Sequence, residues 1–309
     1  MSLQAAEAIS EIENLYLLDA QMMGLSHYGG LYILQAPRPA IIETGFSHTV
    51  EKILAALEEL GIRPEQIAYI LPTHVHMDHA GGAGFLAKTC PNAKIVVHER
   101  GVPHLIDPTQ LVESVKRAVG PMFPYYGELT PIAPDRIMAV KGGERLELGD
   151  GYQLEIIAAP GHAPHQYCLY ERRSKALFTG DAVGIYRREA TGFTMTTPPP
   201  RFHYEQSLET LKKLRAFELN WLCFTHYGVE AQPYRLLDQY EKLLGEWVNT
   251  VERAQRELGD AQAVKEHFVQ QELKELGAYY PERMLRPEVE MNVQGVLLYL
   301  QRERGFNPR

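Results

Sequence analysis

Apolar residues along this 309-residue chain change texture near residue 230. Before it they come as short runs broken by turn residues; after it they recur at three- and four-residue spacing within long polar stretches. The early runs predict strands at 15–18, 31–35 and 40–43, the last two flanking Pro37-Arg38-Pro39 as a hairpin. Thr44-Gly45 breaks the third strand. Val50, Ile53, Leu54 and Leu57 share one helical face within 49–60, and Gly61 ends that helix. A buried strand at 68–71, a helix at 82–88 and a strand at 94–98 continue a β, α, β alternation. After Gly143 strands dominate, at 145–148, 153–158, 166–170 and 176–179. A helix fits 204–215, with Leu208, Leu211 and Leu214 on one face, and 221–224 is a last strand. Helices at both ends of a strand-rich middle predict an α+β fold, a four-layer αββα sandwich with sheet on sheet and helices outside.

Two segments fit this alternation poorly. Residues 100–135 hold an amphipathic helix near 111–119, then Met122-Phe123-Pro124-Tyr125-Tyr126. Residues 184–203 hold Tyr186, Phe193, Met195 and Pro198-Pro199-Pro200. Long insertions on a compact domain are often binding loops or lids, with surface padding as the alternative. From 231 onward, Leu236, Leu237, Tyr240, Leu243, Leu244, Trp247 and Val251 form a helical stripe. Val264, Phe268, Leu273 and Leu276 form a second, and Met291, Val296, Leu297 and Leu300 a third, with Gly259 and Gly277 as stops. The chain thus divides into a sandwich, 1–230, and a helical C-terminal segment, 231–309. That segment is expected to pack on the sandwich near its functional rim or to form a homodimer surface.

Composition narrows the function. Hydrophobic residues make up 45% and charged residues 23%, which excludes disorder as the main state. The net charge of −8 argues against coating nucleic acid or a membrane surface, since both need a local surplus of Lys and Arg. The first residues lack a basic start with an apolar run, and no stretch approaches a membrane span. Cys90, Cys168 and Cys223 are far apart and read as buried free thiols, so a cytoplasmic protein is expected.

Histidine is the compositional oddity: 11 of 12 precede residue 231. Directly after the strand at 68–71 comes Thr73-His74-Val75-His76-Met77-Asp78-His79. In extended chain, His74 and His76 point the same way and reach one metal ion; the turn that follows lets Asp78 and His79 face a second. Imidazole with carboxylate suits zinc, with iron or manganese as alternatives. At this composition the motif would arise by chance on the order of once in two thousand such chains. The alternative, a hydrogen-bonded polar turn, leaves four packed polar groups without a strong partner. Three more candidates end apolar strands: His162 after Ala159-Pro160-Gly161, Asp181 after Phe178-Thr179-Gly180, and His226 after Phe224-Thr225. Each alone is weak, because a lone strand-end His or Asp is more often a cap; together they converge on one rim.

These motifs, in this order over residues 14–230, resemble the metallo-β-lactamase superfamily in its broad metallohydrolase branch. The resemblance implies two divalent transition-metal ions. His74, His76 and His162 would hold the first; Asp78, His79 and His226 the second; Asp181 would bridge them. Two positions depart from the family pattern. Glu43 stands where relatives usually carry Asp, and Gln166 where many carry a second histidine, with His165 one residue early. No role is carried onto His165, nor onto His27, His48, His98, His104 or His203.

Granted two metals, bound water becomes hydroxide near neutral pH and needs no Ser or Cys nucleophile. Asp78 or Asp181 would orient it and return a proton to the leaving group, and Glu43 or backbone carbonyls would fix the imidazole tautomers. The reading is a dinuclear hydrolase of a small ester, thioester or lactone. Phe123, Tyr125, Tyr126, Tyr186, Phe193 and Met195 are expected to supply a partly apolar pocket; the Arg187-Arg188 pair is a candidate grip for a carboxylate or phosphate, with a solvated basic pair on a loop as the commoner alternative. A phosphodiesterase or nuclease is the alternative, followed by an iron-dependent oxidoreductase.

Overall fold

In the segment Gly30–Leu34 every residue is buried, yet the side chains part company. Leu31 and Ile33 join one apolar cluster, Tyr32 and Leu34 another. Alternation on a strand buried on both faces is what a layered sandwich requires. The computed structural model describes residues 6–187 and 192–306.

The first sheet contains β1 (Glu7–Ala8), β2 (Leu15–Asp19), β3 (Gly30–Leu34), β4 (Ala40–Ile42), β5 (Tyr69–Leu71), β6 (Lys94–His98) and β7 (Ile137–Val140), in sequence order. Its first four strands are antiparallel and β4 to β7 are parallel. Parallel neighbours need crossovers. Here they are α1 (Val50–Glu59), then α2 (Met77–Ala80) with α3 (Ala83–Thr89), then α4 (Val102–Ile106) with α5 (Thr109–Val119). The second sheet begins with β8 (Arg145–Gly149), β9 (Tyr152–Ala158), β10 (Tyr167–Glu171) and β11 (Ala176–Phe178). A separate hairpin, β12 (Ile185–Arg187) and β13 (Gly192–Thr194), precedes α6 (Tyr204–Arg215); β14 (Trp221–Cys223) and β15 (Val229–Glu230) complete the sheet, β14 lying parallel to β11. Helices α7 (Pro233–Leu258), α8 (Ala261–Leu276) and α9 (Glu282–Arg304) follow.

Three apolar clusters separate the four layers. Between the sheets, Tyr32, Ile42 and Leu71 meet Leu154, Leu169 and Phe178. Outside the first sheet, Ile41, Ile70 and Val97 meet Ile53, Leu57 and Leu86. Outside the second, Ile157, Cys168 and Leu222 meet Leu211, Leu237, Leu244 and Val293. The C-terminal stripe therefore faces the sandwich: Leu236, Tyr240 and Leu244 are buried in the same cluster as the second sheet. Among the described residues no helix is long and apolar enough to cross a membrane, and all three cysteines are buried and unpaired.

The metallo-β-lactamase-like αββα sandwich expected from the sequence is the observed architecture. Several details differ. The strand expected at 40–43 ends at Ile42, because Glu43 turns to φ 64°. Part of 184–203 is regular, forming the β12–β13 hairpin. The third C-terminal helix starts at Glu282, ahead of the stripe at Met291, and runs through Pro287. An internal proline removes one helical hydrogen bond, so a pattern-based boundary falls after it.

Candidate metal centre

Each candidate side chain is delivered by a strand end. Beyond β5, residues 73–76 run on to His76, which precedes the first turn of α2, and that turn holds Asp78 and His79. Asp181 follows β11 through Gly180, whose φ is +48° and whose added Cβ would lie 2.5 Å from Thr73 Oγ1. Only glycine lets the two ligand loops approach so closely. His162 follows β9, and His226 follows β14.

The structure brings all seven together. His74 Nε2 lies 2.8 Å from His76 Nδ1, and His162 Nε2 lies 3.0 Å from the same atom. On the other side, His79 Nε2 stands 3.3 Å from Asp181 Oδ1 and 3.5 Å from Asp78 Oδ2, and His226 Nε2 stands 3.3 Å from Asp181 Oδ1. Asp181 divides its carboxylate between the two groups, its Oδ2 lying 3.5 Å from His162 Nε2. The potential ligand atoms of His74, His76 and His162 all lie within 4.8 Å of one another, as do those of Asp78, His79 and His226.

The second layer of contacts fixes the tautomers. The Glu43 carboxylate is buried and takes His79 Nδ1 at 3.0 Å, Thr73 Oγ1 at 2.6 Å and Thr225 Oγ1 at 2.9 Å on Oε1, and the Thr73 amide at 3.2 Å on Oε2. Since Thr73 Oγ1 donates to Glu43, it accepts from His74 Nδ1, 3.2 Å away. His162 Nδ1 donates to the Thr196 carbonyl at 3.1 Å. In all three rings the anchored Nδ1 leaves the Nε2 lone pair directed into the site.

These residues fit metal ions. His79 Nε2, His226 Nε2 and Asp181 Oδ1 are buried and face one another at 3.3 Å without meeting hydrogen-bond geometry, an arrangement that a cation between them would satisfy. The His74, His76 and His162 nitrogens crowd closer than three neutral acceptors would choose. Burial and the neighbouring imidazoles hold His74 well below its ordinary range and push His76 down to about 3, which keeps both neutral and able to ligate. Burial opposes charge on His79 as well, but Glu43, Asp181 and Asp78 outweigh it and raise that ring well above its ordinary value. Burial likewise disfavours charge on Asp181, yet His79, His226 and His162 hold its carboxyl well below the usual carboxylate range. Without metal, the second side is thus a charge-paired His and Asp cluster.

Three supporting residues escaped the sequence reading. Gln166 is buried; oriented with its amide oxygen toward the Asp181 loop, it accepts from the Asp181 and Ala182 amides. Thr196 holds His162 through its carbonyl and Asp181 Oδ2 through its hydroxyl, at 3.3 Å. Asn292, on α9, pins the Thr196 loop by accepting from the Thr197 amide at 2.7 Å and donating to the Met195 carbonyl at 2.9 Å. Gly295, one turn on, has no room for a Cβ, which would fall 1.8 Å from the Thr197 carbonyl oxygen.

A cavity of about 530 Å³ opens over the site. Its apolar wall is not the one expected. Of the six residues put forward, only Tyr126 lines it. Phe193 is buried in the core on the second sheet, and Tyr186 and Met195 pack against that core; Tyr125 is exposed. The wall comes instead from α5, the turn that follows it and α9, with Val115, Val119, Met122, Met284 and Met291. Arg187 is no free grip either. It is buried, bonded to Glu288 at 2.7 and 2.9 Å and covered by the rings of Tyr28 and Tyr280; Arg188 lies outside the described residues. His165 lies beside the site, its ring 5.7 Å from that of His76.

The chain is 31% identical over 169 residues to the metallo-beta-lactamase fold-containing protein ST1585 of Sulfurisphaera tokodaii, which covers 53% of this chain and 62% of that one. It is 26% identical over 159 residues to the putative diflavin flavoprotein A 1 of Nostoc, covering 50% and 23%. It is 30% identical over 139 residues to the acyl-coenzyme A thioesterase MBLAC2 of Gallus gallus, covering 42% and 46%. The match thus spans less than two thirds of each of these relatives. In structure the chain resembles the metallo-beta-lactamase family protein TTHA1429 of Thermus thermophilus, with a TM-score of 0.70 and 21% identity over 96% of this chain and 97% of that one. The profile of the metallo-beta-lactamase superfamily matches residues 38–226, more than half of the sequence, and the chain belongs to that superfamily.

Proposed function

We propose that this protein is a dinuclear metal-dependent hydrolase of carboxylic esters, thioesters or lactones, with zinc as the resident metal. The observation that carries this reading is Asp181, one carboxylate oxygen turned to each half of a site whose ring nitrogens are already aimed inward. Bound there, two divalent ions supply Lewis acidity and lower the pKa of water to near 7. His74, His76 and His162 would hold one ion, Asp78, His79 and His226 the other, and Asp181 both.

The chain's own groups do the rest. Glu43, Thr73 and Thr196 keep the rings in the ligating tautomer. Thr196 Oγ1 orients Asp181. Asp78, whose side chain is 27% exposed and borders the cavity, is placed to take a proton from water and pass it to the departing group. In the reaction the water oxygen adds to the acyl carbon, the carbon–sulfur or carbon–oxygen bond breaks, and a thiol or alcohol leaves with a proton as the carboxylate forms. The thioesterase relative supports acyl transfer to water.

The test is metal analysis of chelator-free protein together with assays on p-nitrophenyl esters, thioesters, lactones and bis-p-nitrophenyl phosphate. Two zinc ions per chain and turnover of an acyl substrate are expected; turnover of the phosphodiester alone would make the protein a phosphodiesterase. The diflavin relative favours a second reading, an iron-dependent oxidoreductase. Oxygen consumption by iron-loaded protein, with no acyl turnover by the zinc form, would establish that one.

A further inference from the structure

The cavity over the site is chemically divided. Helix α5 turns Leu111, Val115 and Val119 inward while Glu113, Lys116 and Arg117 stay exposed on its other face. Five methionines line the same cavity, Met77 beside the candidate metals and Met23, Met122, Met284 and Met291 farther out. Methionine walls are adaptable and take flexible apolar ligands. Only a small satellite cluster joins α5 to α9, with Val119, Met122 and Met284 at its centre, so the space between these helices is not filled by the main core.

The other character of the cavity is polar, with positive charge from two guanidiniums. Arg100, His104, His165 and Arg201 also line it. Arg100 and Arg201 are exposed, and neither guanidinium has an ion-pair partner among the described residues. His165 Nδ1 is buried without a hydrogen-bond partner among the described residues. The ring of His165 lies 5.7 Å from that of His76 and 6.2 Å from that of His104, so this group abuts one side of the metal centre. On the opposite side, Tyr28 stands 6.3 Å from His226 and belongs to the edge of the satellite apolar cluster. The acids that line the cavity are accounted for: Asp78 and Asp181 face the candidate metals, and Glu288 is bonded to Arg187.

We propose that the cavity takes an acyl ester or thioester of amphipathic form. A long apolar acyl chain lies between α5 and α9, the carbonyl meets the metal centre, and a leaving group bearing negative charge is held by Arg100, Arg201 and the adjacent histidines. This rests on the hydrolase reading and narrows its substrate to a medium- or long-chain acyl group on an anionic carrier. Each methylene buried against the methionine wall raises affinity about fourfold at most, so chain length is the primary readout.

The experiment has a kinetic arm and a binding arm. In the first, kcat/KM of the zinc-loaded protein is measured on p-nitrophenyl acetate, butyrate, octanoate and decanoate, and on decanoyl-coenzyme A. A rise of tenfold or more from acetate to octanoate is expected. The double variant R100A/R201A should lower kcat/KM for decanoyl-coenzyme A at least fivefold more than for p-nitrophenyl decanoate. In the second arm, decanoate is titrated calorimetrically into metal-free protein, wild type and Val115→Asp. Binding that the substitution abolishes is expected, and circular dichroism shows whether the variant is folded; Met291→Asp serves if it is not. A flat chain-length profile with no decanoate binding overturns the inference and leaves the hydrolase reading standing. Decanoate binding without turnover of any ester overturns the hydrolase reading and keeps the occupant.

Discussion

At the scale of single residues, the site depends on how few atoms share its charge. Asp181 serves both halves, so Asp181→Ala removes a proposed ligand from each. Metal content should fall from two ions to one or fewer, and kcat/KM by at least a hundredfold; full metal and full activity in that variant would show that Asp181 does not bridge. Glu43 acts one step back. It is a buried carboxylate that takes three hydroxyl or ring donors on one oxygen. Glu43→Gln puts an amide where those donors converge and loosens His79. Such outer partners typically matter 10- to 100-fold for metal affinity, and a competition titration with a chelator is expected to show that loss at the His79 side first. The seven convergent side chains were legible in the sequence because local spacing and strand-end position signal a ligand. Glu43 was legible only through its place in a family pattern. Gln166, Thr196 and Asn292 were not legible: their residue types are common, and their roles arise from contacts across the fold, 95 residues apart between Thr197 and Asn292.

At the scale of elements, the layers could be read from strand alternation, while the small pieces that close the site could not. Strand β7 is only partly buried, and β15 has two residues, too few for a period to register. The pocket wall was misassigned for a related reason. Aromatic residues in the two insertions suggest a lining, but Tyr186 stacks on Phe224, and Phe193 packs edge-on to Phe224 and tilted against Tyr240, in the core. The contact between α9 and the Thr196 loop is the element-level link between the C-terminal helices and the candidate metals. Trp247 of α7 adds to it, its indole N–H donating to Thr197 Oγ1 at 3.1 Å. Asn292→Ala leaves the Thr197 amide and the Met195 carbonyl without their partner, at a cost of about 1–3 kcal/mol for each unsatisfied buried group. Chemical denaturation should show that loss. Metal titration should show weaker binding at the His162 side with the His79 side little changed. Equal weakening at both sides would mean the loop does not act through His162.

At the scale of the whole molecule, the C-terminal helices and the second sheet share one apolar cluster. Removing 231–309 would bare Leu177, Leu222 and Phe224 on the outer face of that sheet and free the Thr196 loop. Aggregation of the truncated chain is therefore expected, and a monomeric, folded truncation with full metal binding would contradict this packing argument. Acid provides a gentler probe of the same architecture. His74, His76, His162 and His165 are all held below their ordinary range, burial being the largest cause in each. In the unfolded chain these rings take up protons near pH 6.5; in the metal-free folded protein they do so lower, well lower for His74 and His165 and near 3 for His76. A depressed histidine contributes its share of stability above the unfolded value and loses it as pH falls toward the folded one. His79 has the opposite sign, but its raised value places its effect above pH 6.5, where rising pH removes it. Between pH 6.5 and about 4 the depressed rings decide the slope, at roughly 1.4 kcal/mol per pH unit for each ring that stays neutral. Denaturant midpoints of chelator-treated protein should therefore drop steadily across that window. Zinc should steepen the drop, because protons and metal compete for the same ring nitrogens. A metal-free midpoint that stays level from pH 6.5 to 4 would mean these histidines are not held neutral by the fold.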